Sequence, residues 1–421
     1  MFATLLLCTL ATAPLTLDQA IARALATHPD ALSAEAEAKS AGLAVEDARS
    51  QQLGLTAAVN GLGRRATSGL LDTSGAPTST VDTGTANGTI TATLPLFTGF
   101  KLTHGIDAAR HREDEAKARK AAARADLAYG VTQAFWNVYR QQALVTAREE
   151  VVADAGQVVA LTRTSLQVGR ATTMDVTRAR VAELNARGDM LAAQGQLREA
   201  KTTLAKLVGE PAEALAIAPP TPTTTAPDAG AHATTPPKLA AATAHGDAAR
   251  ADVGVAQGDR WPQMALVSSY QYGNNPFDPT RGASSLGGSF SGTWDVRLSL
   301  GYNVFDLGKV ERAVKRSQMD LDVAQAGLEK SRRDAAADLG LARLHVTNAY
   351  ERLQMAETSS HMALEALHWS ETRYRQGYAL QVDVIDARRS YLTAVDQRIG
   401  ALCDYQVARA ELAVALGKEP S

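Results

Sequence analysis

The fifteen residues from Leu166 to Arg180 return as Tyr374 to Arg388, and the offset between the two copies is 208 residues. Identities at that offset include Gly169/Gly377, Asp175/Asp383, Val176/Val384, Ala179/Ala387 and Arg180/Arg388. Outside this stretch the same offset relates Phe97/Phe305, Lys101/Lys309, Leu204/Leu412 and Gly209/Gly417. A duplication that keeps one spacing over most of a chain constrains the architecture before any single motif does. The molecule must be built from two copies of one unit, each of them half a structure.

Each copy reads as a pair of alternating segments followed by two long helical ones. In the second copy Trp294, Val296, Leu298, Leu300, Tyr302 and Val304 alternate with Thr293, Asp295, Arg297, Ser299, Gly301 and Asn303. Period two over twelve residues predicts a strand with two different faces. The first-copy counterpart sets Ile90, Ala92, Leu94 and Leu96 against Thr89, Thr91 and Thr93. Shorter partner strands hold Leu55, Ala57 and Val59 before Gly61, and Met264, Leu266, Tyr270 and Tyr272. Polar, Gly-rich stretches from Thr67 to Gly84 and from Gly273 to Gly292 read as long loops facing water. Trp294 and Tyr302 are separated by about 26 Å of strand, which fits an apolar band with an aromatic at each rim. A soluble sandwich with one buried face fits these strands equally well.

The helices decide between the two. From Lys101 to Gln167 there is no proline, and Val131, Val138, Val145, Val152, Val159 and Leu166 recur every seven residues. The second copy carries Leu339, Val346, Leu353, Leu367 and Tyr374, with a parallel ladder of Ala335, Ala342, Ala349, Ala356 and Ala363. Such heptads mark coiled-coil packing, and small residues let helix axes approach closely. A helix of this length rises about 100 Å at roughly 1.5 Å per residue. Gly169 and Gly377 then close the long helices, and return helices begin near Asp175 and Asp383, where an acid favours the exposed amides of a helix start.

The predicted organisation follows. Residues 1–13 form a signal segment and 14–218 the first repeat, with a β-hairpin near 53–97 and a helical hairpin near 101–208. A Thr/Pro linker over 219–237 leads to the second repeat over 238–421, with strands near 262–305 and helices near 309–416. Its first helix, His245 to Arg260, reads as about nine residues shorter than the matching segment from His28 to Gln52. Lipidation of Cys8 is a weaker reading, because Leu7 is large for a lipoprotein cleavage motif.

Composition narrows the function classes. A formal net charge of -2 removes the electrostatic case for nucleic-acid binding. Two cysteines, Cys8 and Cys403, supply neither a disulfide framework nor a zinc site. No catalytic or cofactor motif is present, so the chain does not read as an enzyme. His104 and His111, and His361, Glu365 and His368, would need ligands from other helices to hold a metal, and read as solvated. Four strands with an apolar face cannot close on themselves in lipid, where each unsatisfied backbone group costs several kcal/mol and the smallest barrels have about eight strands. Several copies must pool their strands around a wet interior.

These features together resemble the outer membrane efflux proteins, the TolC-like trimeric exit ducts of tripartite drug pumps and type I secretion systems. The likeness runs from Leu17-Asp18 and His28-Pro29, through Leu94-Pro95-Leu96-Phe97 and Val304-Phe305-Asp306-Leu307-Gly308-Lys309, to both glycine-to-aspartate turns. It implies a mixed α and β fold, in which a homotrimer closes a twelve-stranded transmembrane β-barrel and continues it as a coiled-coil α-barrel in the periplasm. It implies the lipid bilayer, a periplasmic adaptor and, through the adaptor, an inner-membrane pump as partners, and no cofactor. Asp383 and Asp386 match the acids of the periplasmic aperture, where a ring of carboxylates would select or hold cations. Gly169, Arg170, Asp175, Tyr374 and Gly377 fall in the tip turns and adaptor grooves, with Trp294 and Tyr302 at the barrel rims. Ala379 stands where family members often place a latching arginine, although Arg170 and Arg375 lie close by in sequence. The alternative from a different class is a soluble or periplasmic coiled-coil scaffold without channel activity.

Overall fold

A computed structural model describes residues 14–67, 80–222, 224–226, 234–274, 290–376, 378–379 and 381–419. In chain order these form α1 (Leu17–Thr27), α2 (Pro29–Ser50), β1 (Gly54–Thr67), β2 (Thr80–Phe97), α3 (Lys101–Gln167) and α4 (Thr173–Val208). A short 3-10 turn (Ala212–Ala214) precedes α5 (Pro237–Gly258), β3 (Gln263–Asn274), β4 (Phe290–Gly301), α6 (Lys309–Arg375) and α7 (Gln381–Ala415). The fold is mixed α and β. The predicted signal segment, with Cys8, lies outside the described residues.

The duplication is reproduced in the backbone. Helices α3 and α6 each run for 67 residues, and both their first and last residues are 208 apart. The α4 helix ends on Gly209 and α7 is followed by Gly417, both left-handed, with the next amide reaching back to the carbonyl of Ala205 or Ala413. Helices α2 and α5 are both 22 residues long and both start on a proline, Pro29 and Pro237. The shortening of the second repeat's first helix, expected from the sequence, is therefore corrected. Proline suits the first helical position because its missing N–H needs no partner there, so α5 begins inside the stretch read as linker. Upstream of α2, His28 is extended, as a residue before proline prefers, and this separates α1 from α2.

The strands make one antiparallel sheet in the order β1-β2-β3-β4. Its hairpins reach further than the loop reading allowed. β1 continues past Gly61 and pairs Thr67 with Thr80, and β3 pairs Asn274 with Phe290. The loop reading covers Thr80 to Gly84, yet their pleated backbone pairs with β1 residue by residue. β4 ends at Gly301, short of Tyr302 and Val304, whose alternation had been read as strand.

The chain divides into two compact units. One holds the whole sheet, within Ala38–Glu115 and Ala242–Leu328. Each strand turns into its long helix through two consecutive left-handed residues, Gly99-Phe100 and Leu307-Gly308, with glycine and bulky residue in swapped order. Asp306 fixes the second corner by accepting from the amides of Gly308 at 2.9 Å and Val310 at 2.8 Å. The other unit takes the described residues of Met1–Glu37, with Ala116–Ala241 and Glu329–Ser421. Its largest core packs Val131, Phe135 and Val138 of α3 against Leu204 and Val208 of α4, under Leu15 and Ile217. A second core joins Val346 and Leu353 of α6 to Tyr405 of α7. The Tyr405 hydroxyl donates to the carbonyl of Thr225 at 2.5 Å, which ties the inter-repeat strap to α7.

Candidate functional site: a two-faced sheet and the helix turns

The sheet has an apolar face that no other described residue covers. Cross-strand neighbours line up as Trp294, Tyr270, Ile90 and Ala57 in one row, and as Leu298, Leu266 and Leu94 in another. Trp294 is 71% exposed and Val59 88% exposed, values that an aqueous monomer would correct by burial. The opposite face carries Thr91, Ser269, Asp295 and Arg297, and there Asp295 accepts from Ser269 and pairs with Arg297 at 3.5 Å. Trp294 anchors its indole N–H on the Ser268 hydroxyl at 3.2 Å. Tyr302 is exposed but sits just past the end of β4, so the regular strand carries the apolar band from Trp294 to Leu300, about 20 Å at roughly 3.3 Å per residue.

In the α3–α4 turn Gly169 has φ +75°, a conformation that strains any side chain, and the Arg170 amide closes the helix on the Ser165 carbonyl at 2.8 Å. Asp175 is the capping partner of Thr172. Its carboxylate accepts from the Thr172 hydroxyl at 2.7 Å and the Thr172 amide at 2.8 Å, while the Asp175 amide donates to the Thr172 hydroxyl oxygen at 3.2 Å. These hydrogen bonds, the hydroxyl's foremost, hold the Asp175 carboxyl below the usual aspartate range. In the matching turn the Tyr378 amide reaches the Arg373 carbonyl at 2.8 Å, the same backbone closure. Gly377 lies outside the described residues.

Asp383 and Asp386 occupy the first turns of α7, three residues apart and both exposed, so they share one helix face. Tyr374 sits in the last turn of α6, partly exposed. Periodicity alone missed the residue that binds this end together, because its partners are far away in sequence. Arg388, two residues past Asp386, donates to Glu371 of α6 at 2.9 Å and pairs with Asp154 of α3 at 3.5 Å. Arg148 and Asp396 form a further α3–α7 ion pair, and Arg140 stands 3.9 Å from Asp404. A step of eight residues along α3 is thus a step of eight back along α7, and the two helices run antiparallel along an ion-paired seam. Among the described residues no helix is long and apolar enough to cross a membrane, and no His, Cys, Asp and Glu cluster could hold a metal. His361 contacts Glu365 of its own helix, 3.5 Å away.

Comparison with known proteins places this architecture. The sequence profile described as outer membrane efflux protein matches residues 20–210 and 234–418, one segment in each repeat. Outer membrane protein TolC of Vibrio cholerae is 23% identical over 319 residues, covering 74% of this chain and 72% of that protein. The pyoverdine export outer membrane protein OpmQ of Pseudomonas aeruginosa is 26% identical over 271 residues, covering 63% of this chain and 55% of that protein. The crystal structure of the outer membrane protein VceC from Vibrio cholerae shares the fold, with a TM-score of 0.79 at 21% identity over 96% of this chain and 97% of that one. The profile spans most of both repeats, and the chain therefore belongs to the outer membrane efflux protein family, with its place in the outer membrane of a Gram-negative bacterium.

Proposed function

We propose that this chain is the outer-membrane channel of a tripartite efflux pump or type I secretion system, a passive conduit assembled from three copies. The observation that carries this reading is the four-stranded sheet with one apolar and one polar face, whose outer strands β1 and β4 each have a partner on one side only. In hydrocarbon those open edges are intolerable, and joining β4 of one copy to β1 of the next removes them all at once. The heads of Asp295 and Arg297 then face water inside the barrel, and the helical hairpins continue the passage into the periplasm. A periplasmic adaptor docks at the turns that carry Gly169, Arg170, Asp175, Tyr374 and Gly377. Through it an inner-membrane pump supplies the energy.

Asp383 and Asp386 are the aperture acids in this reading. Three copies present a ring of six carboxylates, which favours cations entering a narrow neck. Purified protein in planar bilayers should form discrete, cation-preferring channels. Replacing Asp383 and Asp386 with alanine should weaken that preference and the block by divalent ions. Unaltered selectivity and block in the double variant would remove the pair from the gate, and absence of channels from the wild type would remove the conduit.

A further inference from the structure

Helix α7 runs between α3 and α6, and at one level it offers a single carboxylate to two guanidiniums. The Arg148–Asp396 ion pair sets the antiparallel register of α7 on α3, and eight residues away along both helices Arg140 stands 3.9 Å from Asp404. On the other side of α7, His345 of α6 meets Glu411 at 3.1 Å. Seven residues on along α6 and seven back along α7, the same register brings Arg352 level with Asp404 too. Arg352 nevertheless makes no ion pair or hydrogen bond among the described residues. Arg148 holds Asp396 and His345 holds Glu411, so this level carries one positive charge more than Asp404 can neutralise.

The cluster stands where two cavities meet. One, of about 640 Å³, is walled by Trp136, Leu207 and Val407, and the other, of about 540 Å³, by Met355, Ala356 and Ala401. Arg140, Arg352 and Asp404 line both. Volumes of this order take a drug-sized molecule. Gly400 completes the seat, because a side chain there would come 3.2 Å from the Arg140 guanidinium, which lies across the bare backbone of α7. The internal repeat requires none of this. At the offset of 208 residues Arg140, Arg352, Asp404 and Gly400 correspond to Asn348, Leu144, Gln196 and Ala192, none of them charged. The charges are an addition to the repeat, made at one level of the bundle.

We propose that this level of the helical unit binds a small amphiphilic anion, an organic carboxylate or sulfonate. Its acid group sits at the Arg140 and Arg352 guanidiniums, whose forked donors match such oxyanions, and its apolar body lies against Trp136, Leu207 and Val407. Every wall of the site comes from one chain, so a single copy holds it complete, and the inference goes beyond the channel reading without needing it. Arg140 precedes Gln167, the last residue of α3, by 27 residues, about 40 Å of helix, which separates the site from the turns proposed for an adaptor.

Fluorescence titration of the full-length protein in phosphatidylcholine nanodiscs tests the site. The probe is 8-anilinonaphthalene-1-sulfonate, and the control is N-phenyl-1-naphthylamine, the same rings without the sulfonate. After subtraction of empty discs the sulfonate should saturate at one site per chain. Arg352→Gln should weaken it about tenfold, the loss of one charge-assisted contact, while Arg352→Lys should stay within about threefold of the wild type. Binding of the uncharged control should be the same in all three proteins. Asp404→Asn removes the competing carboxylate and should tighten the sulfonate, a gain that a misfolded variant cannot produce. Absence of saturable binding, superimposable sulfonate curves for wild type and Arg352→Gln, an equal loss for the uncharged control, or weaker binding in Asp404→Asn would each overturn the proposal. None of these readouts depends on conductance, so their failure is distinct from failure of the conduit.

Discussion

Arg388 ties three helices at one point, since its guanidinium reaches Glu371 on α6 and Asp154 on α3 from its own place on α7. Its side chain is 25% exposed, so solvent screens the pair only in part, and each contact contributes about 1 kcal/mol. Arg388→Ala should lower the melting temperature slightly and raise channel conductance, because the start of α7 beside Asp383 and Asp386 is released. Lysine at the same position can keep one contact, not the forked pair, and should fall between. Equal conductance in all three proteins would show that this link does not restrain the aperture. Asp175 works differently, as a cap on α4. Its folded pKa is depressed, so its contribution is fully present above the ordinary aspartate value of about 3.9 and is lost as pH falls through the lower folded value. Asp175→Asn should therefore speed amide exchange in the first turn of α4 at neutral pH, and match the wild type once the pH lies well below the folded value and the carboxyl is protonated. A difference that persists in acid would assign the effect to something other than ionisation.

At the scale of the elements, α4 presents two different faces, a buried alanine ladder and an exposed apolar side that carries Leu184 and Leu191. The alanine ladder on its inner face is repeated on α7 as Ala387, Ala394, Ala401 and Ala408, and the buried members of both ladders set how closely axes approach. Ala193→Leu adds three carbons to a closed interface and should destabilise the folded chain by about 1–3 kcal/mol in thermal melts. Leu191→Ala, on an exposed position, should leave the helix content unchanged and weaken only the assembled form. If both variants lost the same stability, α4 would not have two separate roles. The ends of α3 and α6 were legible in the sequence, because a proline-free stretch runs in each copy from the duplicated lysines Lys101 and Lys309 to the glycine turns. The matching lengths of α2 and α5 were not, since Pro237 continues a Thr/Pro-rich stretch and reads as linker although proline suits the first helical position. Strand ends were misjudged where Gly and Thr serve equally in loops and in pleated backbone. The ion-paired seam could not be read at all, because Arg148 and Asp396 become neighbours only through the fold.

For the whole molecule the decisive fact is incompleteness. One chain presents a sheet with two open edges and an uncovered apolar face, and long helices with exposed apolar side chains such as Leu191 and Met362. Neither feature suits an aqueous monomer, and head-to-tail repetition of the chain satisfies both, since rotation closes a ring. Native mass spectrometry of the protein extracted from outer membranes in mild detergent reads that closure directly. Three chains per particle are expected, falling to one on heating; a single chain per particle, or recovery of the protein in the aqueous fraction without detergent, would contradict it.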